Sequence, residues 1–358
     1  MTSLDSQALL YNFLMRALAI IFAAVLAVGV FTSAPSSPIQ TTGFDSNLRG
    51  VSVSQTNSGK YVVWASGTKG IVLRSFDEGK SWKQLKVGGG ADLDFRDIEA
   101  FGTNTAYVMS SGDGENSRIY KTRDGGKSWM LQYTDKRSGF FLDSLACASP
   151  NHCYALSDPV DGKFLILTTD DGQHWKQLPH DQMPAALPAE GAFAASGTSI
   201  ALCNNNNDIY FGTGGPAARV FHSADRGRSW TAVETPIASG NASSGIFSLD
   251  CHGRYVVAVG GDYKNPNRAD GVAAYSNDRG KTWHLADHPP SGYRSCVRIA
   301  AGTTFAMGPN GEDTSLDYGV TWKSADTLNL NAAALAPSRT GWAVGPGGTF
   351  KHVGTAGP

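Results

Sequence analysis

Ser75-Phe76-Asp77-Glu78-Gly79-Lys80-Ser81-Trp82 is the first of six copies of one eight-residue motif. The motif recurs at intervals of 39 to 55 residues, at positions 122–129, 168–175, 223–230, 276–283 and 315–322. Its consensus is Ser/Thr-x-Asp-x-Gly-x-Ser/Thr-Trp, and only the third copy departs from it, with His174 at the second hydroxyl position. A motif that recurs at this period predicts a repeat architecture, and the period fits the blades of a propeller.

The residue types in the motif suit a tight turn between two strands. A carboxylate such as that of Asp77 accepts hydrogen bonds from the backbone N–H groups that follow it, and Gly79 supplies the positive φ that the turn demands. The tryptophan opens the next strand and buries a large apolar surface. This pattern is that of the Asp-box, or BNR repeat. We expect a structural role, without catalysis, for its six aspartates: Asp77, Asp124, Asp170, Asp225, Asp278 and Asp317.

Each motif lies within a group of four short strands. Before the second copy, residues 95–101 and 105–110 predict a hairpin and residues 117–122 a third strand, and Trp129 then opens a fourth. Four antiparallel strands per unit make the blade of a β-propeller.

A seventh unit after the last motif is one strand short. It provides strands at residues 330–336, 341–345 and 349–353, and then the chain stops. We expect residues 38–44 to add the missing strand and to close the ring without an open edge. The predicted fold is an all-β, seven-bladed propeller over residues 36–358.

The composition agrees with short strands and turns, because 41% of the residues are hydrophobic and 42 are glycines. The net charge of −1 argues against nucleic acid and against an anionic membrane surface as partners. The repeat spans nearly the whole length, which favours one domain.

The first 35 residues differ in kind from the rest. Residues 17–31 are an unbroken apolar run that follows Arg16 and precedes Thr32-Ser33-Ala34, as in a secretory signal peptide. Pro35 would make a poor cleavage junction, so the segment is predicted to be either a signal peptide or a retained signal anchor. The protein is therefore expected to be exported: periplasmic, extracellular or anchored in the inner membrane. Membrane contact is expected only through this segment, if it is retained.

Five cysteines suit an exported chain. Cys147 and Cys153 flank a predicted turn, which allows either a disulfide across a hairpin or two small buried residues. Cys203, Cys251 and Cys296 show no metal-binding spacing, and the eight histidines form no pair with zinc spacing. Residues 212–215 follow a strand but open no helix, so they are not a dinucleotide fingerprint. We expect neither a metal nor a cofactor.

The repeats also carry further segments, each of which occurs once, in a distinctive order. They are Phe-Arg-Asp-Ile (95–98), Ser-Asp-Pro-Val-Asp-Gly-Lys (157–163), Glu-Gly-Ala-Phe-Ala-Ala-Ser-Gly (190–197), Gly-Thr-Gly-Gly (212–215), Gly-Gly-Asp-Tyr (260–263), Gly-Tyr-Arg-Ser (292–295) and Gly-Trp-Ala-Val-Gly (341–345). Over residues 45–353 the chain resembles the bacterial propellers that are similar to the photosystem II stability and assembly factor. The resemblance implies seven blades and, in the photosynthetic branch, binding of a membrane-protein precursor during assembly. Relatives outside that branch often carry an oxidoreductase label.

Polar residues outside the motif gather on the face opposite to it. Strand directions alternate within a blade, so the starts of the first strands and the loops between second and third strands share that face. The strand starts carry Arg49, Arg96, Asp143, Glu190 and Arg294. The loops carry Asp158, Asp161, Lys163, Arg219, Asp262, Tyr263 and Lys264. Loops at the mouth of a rigid ring are a usual place for binding, but the same residues could simply pair across neighbouring blades.

Three functions fit these residues. In the first, paired arginines capture the carboxylate of a protein partner, as in an assembly factor. In the second, the protein is a sialidase-like glycoside hydrolase, for which Arg49, Arg294, Glu190, Tyr263 and Asp97 offer suitable residue types, although a seventh blade argues against it. In the third, the protein binds a small acidic ligand without chemistry.

Overall fold

The computed structural model describes residues 39–56, 58–336 and 340–354. The chain divides into two compact units, Met1–Pro35 and Ser36–Pro358, and all described residues belong to the second. The predicted signal or anchor segment lies outside the described residues.

The described strands form seven antiparallel sheets, each of which is one blade of a propeller. The first strand, β1 (Gln40–Thr41), belongs to the last blade. From the channel outward, blade 1 contains β2 (Leu48–Gln55), β3 (Tyr61–Gly67), β4 (Val72–Ser75) and β5 (Lys83–Leu85); blade 2 contains β6 (Phe95–Phe101), β7 (Thr105–Ser110), β8 (Arg118–Thr122) and β9 (Met130–Thr134); blade 3 contains β10 (Leu142–Ser149), β11 (His152–Val160), β12 (Lys163–Thr169) and β13 (Lys176–Gln177).

The remaining blades repeat this order. Blade 4 contains β14 (Ile200–Cys203), β15 (Asp208–Gly212), β17 (Arg219–Ser223) and β18 (Thr231–Glu234). Blade 5 contains β19 (Asn241–His252), β20 (Tyr255–Asp262), β21 (Ala273–Ser276) and β22 (His284–Leu285), and the short strand β16 (Gly214–Gly215) pairs with β19. Blade 6 contains β23 (Cys296–Ala300), β24 (Thr303–Gly308), β25 (Gly311–Ser315) and β26 (Lys323–Asp326), and blade 7 contains β27 (Ala332–Leu335), β28 (Gly341–Val344) and β29 (Thr349–Val353). Two short 3₁₀ helices, Gly114–Asn116 and Pro346–Gly348, lie between strands. Among the described residues, no helix has the length and hydropathy needed to cross a membrane.

The ring closes as predicted. β1 pairs antiparallel with β29, with Gln40 opposite Phe350 and Thr41 opposite Thr349, so a strand from the start of the domain completes blade 7. The seven-bladed, all-β fold and the N-terminal origin of the last outer strand are confirmed, although Pro38 lies outside the described residues.

Each blade packs its apolar side chains against the next blade. Within the described residues, seven hydrophobic clusters fill the seven spaces between adjacent blades, and Trp82, Trp129, Trp175, Trp230, Trp283 and Trp322 pack into six of them. The space between blades 6 and 7 lacks such a tryptophan, because blade 7 has no copy of the motif.

Side-chain acceptors also join the innermost strands of adjacent blades. The backbone N–H of Ala100 donates to Ser52 Oγ at 3.0 Å, and that of Leu145 donates to Asp97 Oδ2 at 2.6 Å. These bonds fix the positions of the inner strands around the channel, and therefore the positions of the residues that open them.

The repeated motif forms the same turn in five copies. In the first, Gly79 N donates to Ser75 Oγ at 2.8 Å, and Asp77 accepts Ser81 N at 2.8 Å and Ser81 Oγ at 2.6 Å. The φ of Gly79 is +89°, which favours glycine. Asp124, Asp225, Asp278 and Asp317 accept equivalent bonds.

In the third copy, the prediction that Asp170 is the turn acceptor is wrong. Asp171 accepts the backbone N–H groups of Gln173 and His174, both at 2.8 Å, and Thr169 Oγ1 accepts Gly172 N at 2.9 Å. The reason is that β12 pairs with β11 as far as Thr169, so the turn begins one residue later. Asp170 instead forms ion pairs with Lys176 and His152.

The described residues contain two disulfides. Cys147 and Cys153 are bonded across the β10–β11 hairpin, the first of the two interpretations of that pair. Cys203 of blade 4 is bonded to Cys251 of blade 5, a pairing that the sequence spacing did not indicate. Cys296 is buried and free.

Alanine substitutions at Asp170 and Asp171 test the role of the turn. We expect Asp171→Ala to lower the thermal midpoint, because several turn donors lose their acceptor, and Asp170→Ala to lower it less, because exposed ion pairs contribute little. Differential scanning fluorimetry of the two variants beside Asp124→Ala measures this. Equal midpoints for Asp170→Ala and Asp171→Ala would contradict the assignment.

Candidate functional site

Among the described residues, four inner strands carry a β-bulge, near the first residue of β2, β6 and β10 and in the middle of the longer β19. The register with the second strand shifts between Leu48 and Gly50, Phe95 and Asp97, Leu142 and Ser144, and Ile246 and Ser248. The extra residue in each bulge is Arg49, Arg96, Asp143 or Phe247. A bulge re-aims its side chain, and all four of these side chains line one cavity at the end of the channel where the inner strands begin. We call this end the channel mouth.

The cavity at the channel mouth has a volume of about 570 Å³. Blades 1 to 3 contribute a polar wall, formed by Arg49, Arg96, Asp143 and Asp158. Blades 4 to 6 contribute an aromatic wall, formed by Phe193, Phe247, Tyr263 and Tyr293. The charged residues of the cavity and most of its aromatic residues therefore come from different blades, while Phe141 of blade 3 adds an aromatic ring beside the polar wall.

The two arginines of the polar wall have different surroundings. Arg96 donates through Nε to Asp94 at 2.8 Å and through Nη1 to Ala194 O at 2.8 Å. Arg49 Nε is buried and has no hydrogen-bond partner in the described part of the chain. Burial lowers the pKa of Arg49, and the positive charge of Arg96 lowers it further. An anion in the cavity would raise the pKa of Arg49 again, because its charge would oppose both the effect of burial and the repulsion from Arg96.

Two carboxyl groups share the polar wall with the arginines. Asp143 is 1% exposed, and neither of its oxygens has a hydrogen-bond partner among the described residues. Burial, and secondarily the charge of Asp158, raise the pKa of Asp143 well above its ordinary value. Asp158 accepts the N–H of Ala192 at 2.8 Å, and burial raises its pKa to about 6.

The aromatic wall is built around Phe247. Its ring stacks on Phe193 with a centroid separation of 3.8 Å and meets the edge of Tyr293 at 4.7 Å. Tyr263 lies at 6.1 Å from Phe247, and it is 48% exposed at the rim. This wall presents aromatic surface to any group that the polar wall holds.

Of the predicted binding residues, the structure brings Arg49, Arg96, Asp158 and Tyr263 together in the cavity. Arg294, Glu190 and Arg219 do not line it, because they form buried ion pairs. Arg294 is 0% exposed and binds Asp313, while Glu190 accepts Arg219 Nε at 2.8 Å. For these residues the alternative of structural pairing is the one that the structure shows.

Lys163 and Asp262 also stabilise loops and do not line the cavity. Lys163 Nζ donates to the carbonyls of His180 and Asp181 at 3.0 and 3.1 Å. Asp262 Oδ1 accepts Ser243 Oγ at 2.7 Å and Lys264 N at 3.0 Å. Since Asp97 accepts a bond from blade 3 and Arg294 and Glu190 are buried in ion pairs, the residue set of the glycosidase hypothesis is not assembled.

Apart from Tyr263, the aromatic wall was missed because the sequence prediction considered only polar residues. A sequence signal for Phe247 does exist: Leu48-Arg49-Gly50-Val51, Leu142-Asp143-Ser144-Leu145 and Ile246-Phe247-Ser248-Leu249 share one pattern, in which the second residue is the bulge. Phe193 and Tyr293 lie in loops before their inner strands, and no repeat marks them.

Further along the channel, a second charged group lies away from the cavity. Arg298, Glu99 and Asp250 line two smaller spaces of about 270 and 230 Å³. Burial raises the pKa of Glu99 to about 7, against the opposing effect of Arg298. Burial also raises the pKa of the neighbouring Asp97 and of Asp250.

The fold and the cavity define a seven-bladed β-propeller with a candidate binding site at the channel mouth. The chain belongs to the family of DUF6242 beta propeller domains, whose model matches residues 39–303. No curated protein sequence is significantly similar to it.

Solved structures share its fold at low sequence identity. The structure of YCF48 bound to D1 peptide matches with a TM-score of 0.64 and 12% identity, over 90% of this chain and 98% of that one. YCF48 from Cyanidioschyzon merolae gives a TM-score of 0.60 and 15% identity, over 88% and 98% of the two chains. A streptogramin B lyase gives 0.57 and 12%, over 89% and 98%.

Glu99→Gln tests the ionisation of the channel group. Because the folded-state pKa of Glu99 lies above its ordinary 4.5, its contribution to stability is present below that value and is lost as the pH rises through about 7. The neutral variant should be more stable than the wild type at pH 8, by up to about 3.5 kcal/mol for a pKa raised from 4.5 to about 7 at about 1.4 kcal/mol per pKa unit, and should unfold at a higher temperature. Near pH 4.5 the two proteins should match. Thermal unfolding at both pH values checks this, and a lower midpoint for the variant at pH 8 would contradict it.

Arg294→Gln tests the assignment of Arg294 to the core. Removing one partner of a buried ion pair leaves Asp313 uncompensated, so the free energy of unfolding should fall by about 3–5 kcal/mol. Arg49→Gln is the matched control, and its stability should change little. Urea unfolding measures the free energy of unfolding of the two variants. If both variants lose similarly little stability, Arg294 is not a core residue and remains a candidate ligand residue.

Proposed function

We propose that this protein is a binding module that captures an acidic group of a protein partner in the cavity at the channel mouth. The observation that carries the proposal is the pair of arginines in that cavity, one of which has a buried, unpartnered Nε among the described residues. No bond forming or breaking is part of the proposal.

Arginine chemistry favours a carboxylate in this position. A guanidinium presents planar donors that match the two oxygens of a carboxylate, and charge-assisted bonds of this kind are among the strongest that proteins make. Arg96 is already oriented by Asp94 and the carbonyl of Ala194, so little side-chain freedom would be lost on binding. Arg49 brings a buried donor that a ligand would satisfy.

The aromatic wall indicates what accompanies the carboxylate. Phe193, Phe247 and Tyr293 form a continuous aromatic surface beside the arginines, which suits an apolar side chain next to the acidic group. A cavity of about 570 Å³ falls within the range of ligand sites and admits side chains of a peptide segment.

A protein partner, rather than a free metabolite, is supported by a structure of the same fold. In that structure YCF48 is bound to D1 peptide, so a propeller of this architecture holds a peptide.

We also propose that the protein is exported. Two disulfides, Cys147–Cys153 and Cys203–Cys251, suit an oxidising compartment such as the periplasm or the cell exterior. The apolar run at residues 17–31 supports the same compartment.

The double variant Arg49→Gln/Arg96→Gln tests the proposal. Partners captured by the wild-type protein from the native envelope would be mapped to a peptide by cross-linking, and the peptide's affinity measured by calorimetry. We expect the double variant to bind about 100-fold more weakly, equivalent to the loss of about 2.7 kcal/mol. The thermal midpoint should move little.

The control is Lys163→Gln, which removes a positive charge on the same face outside the cavity. It should leave the affinity unchanged. A second arm replaces the acidic residue of the peptide by its amide, which should weaken binding to the wild type but not to the double variant. Undiminished binding by the double variant would reject the cavity as the site.

A further inference from the structure

We propose that Asp143 and Asp158 form a second subsite in the same cavity, which accepts the ammonium group of the ligand whose carboxylate the arginines hold. The recognised part of the partner then carries a carboxylate and an ammonium group side by side, with an apolar side chain against the aromatic wall. This inference rests on the proposed function for its carboxylate subsite, and it adds the chemical class of the ligand.

The first observation is the isolation of the Asp143 carboxyl group. Its side chain lines the cavity, is almost completely buried, and has no hydrogen-bond partner at either oxygen among the described residues. Buried polar groups in proteins are nearly always satisfied, so an orphaned carboxyl in a ligand-sized cavity indicates that a ligand donor completes it. A bulge in β10 places it there, in the same way as bulges place Arg49 and Arg96.

The second observation is that the neighbouring arginine does not neutralise this carboxyl. Arg96 acts on Asp143 through its charge, but its guanidinium is bound to Asp94 and to the carbonyl of Ala194. Asp158 adds a second negative charge beside Asp143, and one of its own oxygens accepts the N–H of Ala192. Burial and the charge of Asp158 both disfavour the ionised form of Asp143, and a ligand cation beside the two carboxyl groups would favour that form again.

The third observation is the order of the charges along the polar wall. Arg49 in blade 1, Arg96 in blade 2 and Asp143 in blade 3 line one cavity, and the charge of Arg96 acts on both of the others, so the anion and cation subsites adjoin each other. We therefore expect one ligand to engage both. An apolar α-amino acid carries the carboxylate, the ammonium and the apolar body in their smallest form, and it is the probe of choice.

Three related probes separate the subsites in the wild-type protein. L-phenylalanine carries both charges, 3-phenylpropanoate lacks the ammonium, and phenethylamine lacks the carboxylate. By calorimetry at neutral pH, phenylalanine should bind at millimolar concentration or better, and each truncated probe should bind at least about tenfold more weakly. Equal affinities for phenylalanine and 3-phenylpropanoate would overturn the ammonium subsite.

Asp143→Asn and Asp158→Asn test the acceptors directly. Each variant should weaken the binding of phenylalanine by about tenfold or more and leave that of 3-phenylpropanoate unchanged or stronger, because a negative charge is removed. Asp161→Asn, at an exposed turn of the same blade, is the control and should bind phenylalanine like the wild type. If a variant fails to fold, the comparison of probes on the wild type decides alone.

The outcomes also separate this inference from the proposed function. If 3-phenylpropanoate binds as tightly as phenylalanine and loses affinity in Arg49→Gln/Arg96→Gln, the ammonium subsite is overturned while carboxylate capture stands. If the arginine variant binds phenylalanine and 3-phenylpropanoate like the wild type, both the carboxylate subsite and the combined recognition of carboxylate and ammonium are rejected. An absence of saturable phenylalanine binding at about 10 mM also overturns the inference.

Discussion

Closure of the ring between blades 7 and 1 is the constraint on which the rest of the structure depends. Each blade buries its apolar faces only against its neighbours, so a single open junction would expose two of them. Three kinds of contact close this junction: β1 pairs with β29, Asn331 Nδ2 donates to Leu48 O at 2.7 Å, and Trp342 Nε1 donates to Glu78 O at 3.2 Å. Closure fixes every inner strand, and hence every residue at the channel mouth.

The bulges explain how a rigid ring can carry a variable site. The body of each inner strand is occupied by ladder bonds, and Ser52, Asp97 and Ser248 there accept backbone N–H groups of the next blades. The bulged residue lies outside the regular ladder, so its side chain is free of the demands of blade packing. An arginine, an aspartate or a phenylalanine can occupy the equivalent position in different blades without altering the ring. Function can therefore change at these positions while the fold persists.

The sequence predicted the fold well because the signals for it are local and repeated six times. It predicted the site only in part, because strand starts could be assigned to a face but side chains could not be assigned to partners. Arg294 binds Asp313, and Glu190 binds Arg219. These pairings depend on tertiary contacts, which the order of residues along the chain does not reveal. The third motif was misread by one residue because Thr168-Thr169 and Asp170-Asp171 offer two equivalent registers, and the extra length of β12 selects the second.

The polar wall contains oppositely charged side chains that do not pair with each other. Arg96 would be the natural partner of Asp143, but Asp94 and the carbonyl of Ala194 hold its guanidinium in place. Within the described chain, Arg49 Nε and both carboxyl oxygens of Asp143 are buried without hydrogen-bond partners, which lowers the stability of the protein. Seven hydrophobic layers around a closed ring offset that loss. A ligand that supplied the missing partners would gain their full interaction, and the orientation of Arg96 by Asp94 and Ala194 would favour affinity and selectivity.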